Sequence, residues 1–226
     1  ILTIAGVIVK IIGAFSKVLV ARILGGEGIG LYMMAYPIYQ IIVSISAAGI
    51  PVAISIMIAE KLANRDMRGV QQVFNVSLRV LTLVGIIFSV GLYASAEWLI
   101  KWNIITDPRA LIPIQLLSPA IIVVTILSCF RGYFQGFQYM VPTGTSQVFE
   151  QIFRVGSMVG LAYYFIDSGL HLAAGGATFA TFPGVLAGLI VLVYFYRSQR
   201  SLRQQMLSEQ NEEAPIERTS AVITRL

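Results

Sequence analysis

The 226-residue sequence is strongly apolar: hydrophobic residues make up 57% of it, charged residues only 12%, and the net charge is +5. A soluble domain of this length could not bury so much apolar surface in one core, so the composition excludes the soluble globular class and indicates an integral membrane protein. The single cysteine, Cys129, excludes an internal disulfide and lies in an apolar run typical of a small buried hydrophobe.

Six segments are long and apolar enough to cross about 30 Å of hydrocarbon at about 1.5 Å per residue. In chain order they are residues 1–24, 29–58, 74–100, 110–130, 145–166 and 172–196. The first run is too long for the core of a signal peptide and is interpreted as a true span. The sequence therefore predicts an all-α, polytopic six-helix bundle.

Basic residues are unevenly distributed among the predicted loops. The loops after spans two, four and six contain Lys61, Arg65, Arg68, Arg131, Arg197, Arg200 and Arg203. The loops after the other spans contain only Lys101 and Arg109. Because cytoplasmic loops carry the excess of Lys and Arg, both termini are predicted to be cytoplasmic.

Basic and small residues share one face of the first span. Lys10, Gly13, Ala14 and Lys17 follow one another at helical three- and four-residue steps. A charge near the bilayer centre costs about 3 kcal/mol on insertion scales, so the lysines are predicted to face an internal, hydrated space. Arg22 lies about a third of a turn away from this face and fits either the site or an interfacial anchor.

The fifth span carries a polar stripe whose members are Ser146, Gln147, Glu150, Arg154 and Ser157. Glu150 precedes Arg154 by four residues, the favourable order for a helical ion pair. Such a pair can fix helix packing without touching a ligand, or it can open in one state and act as a gate. Both interpretations are compatible with the spacing.

The second span combines tyrosines with a break. Tyr32, Tyr36 and Tyr39 lie along a neighbouring face, which fits hydrogen bonding to a sugar and fits ordinary bundle polarity equally well. The Gly49-Ile50-Pro51 sequence predicts an interruption of this span, a feature common in transporters.

The sequence contains no enzyme constellation. The single His171 lies beside a predicted turn, Cys129 has no partner, and a phosphate-cradling glycine loop is missing. We therefore expect no enzymatic activity, no metal site and no cofactor. Without a soluble module of aromatic and basic residues, nucleic acid is not an expected partner despite a pI of about 9.5.

Several motifs resemble the polysaccharide-biosynthesis branch of the multidrug/oligosaccharidyl-lipid/polysaccharide (MOP) exporter superfamily, the group of stage V sporulation protein B-like flippases. They are ARILGGEGIGLY at 21–32, YPIY at 36–39, AGIPVAIS at 48–55, FRGYFQG at 130–136, PT at 142–143 and SQVFEQIFRV at 146–155. In this resemblance Arg22 matches the arginine before the Gly-rich first turn, and Glu150 with Arg154 matches a Glu-Gln-x-x-Arg motif. The likeness runs over nearly the whole chain.

The resemblance implies two six-helix lobes that face each other across a central cavity in the bacterial cytoplasmic membrane. Residues 1–197 would form one transmembrane lobe, 198–220 a polar cytoplasmic linker, and 221–226 the start of a seventh helix. One lobe cannot close a cavity alone, so the chain is expected to be a fragment or half of an assembly. Its expected partners are the bilayer and either a missing second lobe or a second copy.

The implied function is a flippase for undecaprenyl-pyrophosphate-linked saccharides that works by alternating access, with the lipid II flippase as the nearest functional analogue. The substrate-binding residues expected from the sequence and the resemblance are Lys10, Lys17, Arg22, Tyr36, Gln147, Glu150 and Arg154. One alternative is a cation-coupled small-molecule antiporter, which would require acidic ion-binding residues, and only Glu150 is deeply placed. The other alternative is a non-transporting scaffold of envelope synthesis.

Overall fold

The structure, a computed structural model, describes residues 2–47, 49–201 and 204–205. These residues form helices and short connections only, so the predicted all-α fold is confirmed. The helices are α1 (Leu2–Ala47), α2 (Ile50–Ala63), α3 (Met67–Lys101), α4 (Leu111–Gly136), α5 (Val141–Phe165), α6 (Leu170–Phe179) and α7 (Thr181–Ser198), with short 3-10 helices at Pro108–Ala110 and Ile166–Ser168. Most of the predicted linker 198–220, and all of 221–226, lie outside the described residues.

Helix α1 reverses direction at Gly25. The φ and ψ angles there are 66° and −175°, a non-helical conformation that glycine adopts without steric cost. Lys10 and Tyr36 line the same pocket, although a straight helix would separate them by about 39 Å. The helix therefore consists of two limbs side by side, residues 2–24 and residues 26–47, which correspond to the first two predicted spans.

The predicted break in the second span is present. Gly49 has a φ of 79°, and the chain restarts as α2 with Pro51 in its first turn, where the missing N–H has no intrahelical partner to lose. Helix α3 starts at Met67, earlier than predicted, because the Asp66 side chain caps it by accepting a hydrogen bond of 2.7 Å from the Gly69 amide. Helix α4 continues to Gly136, so Arg131 lies in a helix and not in the predicted loop.

The sixth predicted span is divided into α6 and α7, which meet at Ala180. By length and composition, four continuous stretches of the described chain can cross a membrane: Leu2–Ala63, Met67–Lys101, Pro108–Gly136 and Leu170–Ser198. The first of these contains the reversal at Gly25. Helix α5 has 25 residues, about 37 Å, but carries charged and amide side chains. The chain is a multi-pass membrane protein, and six crossings is an approximate count.

Three apolar clusters hold the helices together. In the first, between α2, α3, α4 and α7, the ring of Phe74 lies 4.9–5.1 Å from those of Phe130, Tyr133 and Tyr196. A second cluster joins α4 to α3 and to the second limb of α1. The third packs Val20 and Leu24 of α1 against Met158 of α5 and the alanines of α6, and thereby fixes α5 beside α1.

The reversal at Gly25 is tied to the connection between α3 and α4 by one arginine. Arg109 Nη1 donates to Glu27 Oε1 at 2.7 Å, and its Nη2 donates to Asp107 Oδ2 at 2.8 Å. These side chains are partly exposed. Hydrogen bonds from Arg109 hold the pKa of the Asp107 carboxyl below its usual range.

Candidate functional site

A pocket of about 460 Å³ lies between the two limbs of α1 and helix α5. Its volume is within the range of small-molecule binding pockets, roughly 300–1,000 Å³. The lining residues are Val9, Lys10, Gly13, Ala14, Ser16 and Lys17 from the first limb, Tyr32, Met33 and Tyr36 from the second, and Gln151, Arg154, Val155 and Met158 from α5. The α5 members follow at three- and four-residue steps and therefore share one helical face.

Three cationic side chains line this pocket. Lys10 and Lys17 are exposed, and neither forms an ion pair within the described part of the chain. Arg154 approaches from α5. Gly13 and Ala14 lie between the lysines along the limb and leave space at the wall. Since no acidic residue is among the described lining residues, the pocket favours an anionic ligand.

The second limb contributes an aromatic wall. The rings of Tyr32 and Tyr36 are stacked with centroids 5.3 Å apart, and Tyr39, which lies outside the lining, has its ring centroid 5.9 Å from that of Tyr36. Tyr32 and Tyr39 are buried, whereas Tyr36 is half-buried. A tyrosine offers both an apolar face and a hydroxyl that can donate or accept, so this wall suits a ligand of mixed polarity.

Behind the pocket, Glu150 holds two arginines. Arg131 Nη2 of α4 donates to Glu150 Oε2 at 2.7 Å, and Arg154 Nη2 donates to Glu150 Oε1. The side chains are 14–21% exposed, so all three are largely buried. The predicted Glu150–Arg154 ion pair is confirmed, with Arg131 as a partner that the sequence reasoning missed. We call these residues the α4–α5 ion triad.

The triad has a net positive charge and incomplete hydrogen bonding. The Nε atoms of both arginines are buried without a partner among the described residues. Helix α7 closes over the triad because it presents glycines. A Cβ built at Gly184 would lie 2.7 Å from Arg154 Cβ, and one at Gly188 would lie 3.2 Å from Glu150 Cβ. This close approach of α7 covers part of the triad.

The structure brings only some of the sequence-predicted site residues together. Lys10, Lys17, Tyr36 and Arg154 line the pocket, and Glu150 lies behind it. Arg22 is exposed on the first limb, outside the lining. Gln147 is half-buried on α5 and also lies outside it.

Two residues missed by the sequence reasoning belong to this region. Gln151 lines the pocket and lies three residues before Arg154, a spacing that could have identified it. Arg131 belongs to a different helix from Glu150, and no local pattern links them. Among the described residues, no group of three or more His, Cys, Asp or Glu is placed to hold a metal ion.

Comparison with known proteins identifies the family of this chain. Residues 1–214 match the family described as Polysaccharide biosynthesis protein. The chain is 33% identical to stage V sporulation protein B of Bacillus subtilis (strain 168) over 203 residues, which cover 90% of this chain and 39% of that protein. It is 30% identical to the lipid II flippase MurJ of the same organism over 217 residues, 91% of this chain and 40% of MurJ. The chain thus spans about two fifths of the length of these relatives.

Solved structures share the fold. A MOP superfamily transporter from Pyrococcus furiosus superposes with a TM-score of 0.73 at 16% identity, over 88% of this chain and 44% of that one. A MATE protein in complex with Br-NRF gives a TM-score of 0.61 at 18% identity, over 88% and 47%. The expectation that the chain is not an enzyme agrees with relatives named as a flippase and a sporulation protein. The chain is a multi-pass membrane protein and belongs to the Polysaccharide biosynthesis protein family.

Proposed function

We propose that this chain is one lobe of a flippase that carries an undecaprenyl-pyrophosphate-linked saccharide across the bacterial cytoplasmic membrane. The observation that supports the proposal most strongly is the convergence of Lys10, Lys17 and Arg154 on one pocket. The pyrophosphate binds there, and the polyprenyl chain stays in the lipid. The names of the relatives, a lipid II flippase and a polysaccharide biosynthesis family, support a lipid-linked saccharide as the substrate class.

Electrostatics supports an anionic headgroup. Two unit charges 4 Å apart interact by about 4 kcal/mol at an effective dielectric constant near 20, so several cations offset much of the cost of moving a pyrophosphate away from water. Hydrogen bonds between charged groups are also about twice as strong as neutral ones. The stacked tyrosines Tyr32 and Tyr36 offer hydroxyls and ring faces to the sugar that is attached to the pyrophosphate.

Transport requires a second lobe in this proposal. The pocket is built from one lobe only, and the relatives are more than twice as long as the matched region. A second lobe of the same protein, or a second copy of this chain, faces α1 and α5 and rocks about the membrane midplane so that the headgroup is exposed to each side in turn. With the basic loops inside, both termini are cytoplasmic.

The pocket disfavours the antiporter alternative. A cation-coupled antiporter needs an acidic residue that is free to bind the coupling ion. Glu150 is the nearest acidic side chain on α5, and it is already shared by Arg131 and Arg154. The described lining residues therefore offer a small organic cation no counter-charge.

The decisive experiment replaces both lysines by glutamine, K10Q with K17Q, in the intact protein reconstituted into vesicles. Translocation of a fluorescent undecaprenyl-pyrophosphate-linked disaccharide should fall by at least about tenfold, since roughly 1.4 kcal/mol of lost binding is already a factor of ten. The matched control is K101Q, which removes an exposed lysine at the end of α3, outside the pocket.

Retained translocation in the double variant contradicts the proposal. Export of a small organic cation by the wild-type protein, without movement of the lipid-linked sugar, identifies the antiporter instead. If the double variant also supports growth of a cell that depends on this protein, the scaffold alternative is favoured. Equal membrane insertion of all variants must be measured alongside.

A further inference from the structure

Gln151 is a buried amide side chain at the wall of the pocket. It is only 7% exposed, yet it lines the pocket from α5, one turn before Arg154. The opposite wall is the first limb of α1, where a Cβ built at Gly13 would lie 3.2 Å from Gln151 Nε2. The absence of a side chain at Gly13 lets the amide lie against the limb.

The Gln151 amide has no hydrogen-bond partner within the described residues. The backbone carbonyl of Gly13, the limb residue that faces the amide, accepts a hydrogen bond of 2.8 Å from Ser16 Oγ. Because the amide borders the pocket and is unpaired among the described residues, it is available to a group that enters the pocket. A ligand group that both donates to this amide and accepts from it can take the place of pocket water.

The chemistry of the neighbours indicates which part of a ligand this is. Lysine and arginine only donate, so Lys10, Lys17 and Arg154 can satisfy phosphate oxygens but cannot accept from a hydroxyl or an N–H. Gln151 carries the one side-chain carbonyl among the described lining residues. From this we infer that Gln151 is a specificity-determining residue that binds a hydroxyl or acetamido group of the sugar attached to the pyrophosphate.

This inference rests on the proposed function, and a pair of probes tests the role of Gln151 and the proposed function independently. Farnesyl methyl pyrophosphate and farnesyl N-acetylglucosaminyl pyrophosphate are both diesters with the same charge, and they differ only in the sugar. Binding of each to the intact protein in nanodiscs is measured for wild type and for Q151M, which keeps the length of the side chain and removes the amide. The wild-type protein should bind the sugar probe more tightly.

In Q151M the Kd for the sugar probe should rise about 5- to 20-fold, the loss expected for one or two hydrogen bonds. The Kd for the methyl probe should stay within about twofold. K10Q with K17Q should weaken both probes. The matched control Q115M alters a half-buried glutamine of α4 outside the pocket and should change neither Kd.

Equal weakening of both probes in Q151M, or no weakening of either, overturns the assignment of Gln151 while leaving the proposed function standing. If wild type binds neither diester more tightly than an uncharged farnesyl N-acetylglucosaminide, the proposed function itself fails. Should Q151M not fold, Q151N keeps the amide but withdraws it by one methylene. In Q151N the Kd for the sugar probe is expected to rise by less than in Q151M, with the Kd for the methyl probe unchanged. An equal change of both Kd values again overturns the assignment.

Discussion

The pocket and the α4–α5 ion triad use cations in opposite ways. Lys10 and Lys17 form no ion pair within the described chain and face a cavity. Arg131 and Arg154 share Glu150, largely buried between α4, α5 and α7. Charges of the first kind contribute little to folding and remain available to a ligand. Charges of the second kind must be paired, because an unpaired buried charge is strongly destabilising.

Arg154 connects the two regions. Its guanidinium pairs with Glu150 on one side, and its side chain lines the pocket on the other. Anion binding therefore competes with Glu150 for the same group. This makes the difference between the regions measurable: variants of the triad should change stability, and variants of the pocket lysines should change binding.

The largest effect is expected for E150Q. Removing this carboxylate leaves the guanidinium groups of Arg131 and Arg154 buried together without a counter-charge, which should lower the free energy of unfolding by on the order of 3 kcal/mol. Denaturant unfolding in detergent micelles measures it. Transport should fall as well, since less protein is folded.

A double-mutant cycle isolates the cause. Adding R131Q to E150Q removes one of the two uncompensated charges, so the double variant should be more stable than the sum of the single losses predicts. Strictly additive losses would show that the three residues are not energetically coupled and would remove the distinction drawn between the two regions.

Helical periodicity in the sequence correctly predicted the relations between residues of the same helix. The four-residue spacing of Glu150 and Arg154, and the stripe from Lys10 to Lys17, are properties of single helices and can be derived from the sequence. Arg131 is 19 positions from Glu150 on another helix, and only tertiary packing brings them together. Gln147 and Gln151 lie one turn apart on α5, so their spacing does not distinguish them. Only the position of the pocket along α5 determines that Gln151 lines it and Gln147 does not.

The fold was predicted to a similar extent. Glycine and proline indicated the reversal at Gly25 and the break at Gly49, where positive φ angles occur. The start of α3 was misplaced because the Asp66 cap lies in a polar, charged segment that resembles a loop. The division between α6 and α7 at Ala180 has one sequence marker, Pro183, which has no N–H to donate to the carbonyl of Phe179, where α6 ends.

The next largest effect is expected for G184A, which tests the shielding of the triad. A Cβ at this position would lie 2.7 Å from Arg154 Cβ and 3.0 Å from the Glu150 carbonyl oxygen, so α7 must move away from α5. Overpacking of this kind costs about 1–3 kcal/mol. Denaturant unfolding should detect this loss.

The matched control for G184A is G156A on α5, where no atom lies within 4 Å of the added Cβ. There the better helix propensity of alanine should leave stability unchanged or slightly raised. Equal destabilisation by both substitutions would mean that the glycine contact over the triad has no special role.

A smaller effect is expected for D107N, which tests an exposed ion pair against the buried triad. Asparagine keeps an oxygen that accepts from the Arg109 amide, but it removes the charge and the second oxygen, which accepts from Arg109 Nη2. Arg109 lowers the pKa of the Asp107 carboxyl in the folded protein below its usual value of 3.8. The ionised carboxylate therefore stabilises the fold at pH values above 3.8, and this contribution is lost as the pH falls through the lower pKa of the folded state. The Tm of D107N should therefore lie slightly below that of wild type at pH 7, and the gap should close in strong acid. A gap that is independent of pH would show that the charge is not involved.

The smallest change in stability is expected where the change in function is greatest. K10Q and K17Q each remove an exposed, unpaired charge, so the free energy of unfolding should change by less than about 0.5 kcal/mol. Replacing both should raise stability slightly if the two lysines repel each other across the pocket, and added salt should shrink that gain because it screens exposed charges. Thermal unfolding at low and high ionic strength measures both effects. A loss of several kcal/mol in either variant would mean that the pocket lysines, like the triad, are needed for folding, and that their role cannot be separated from it.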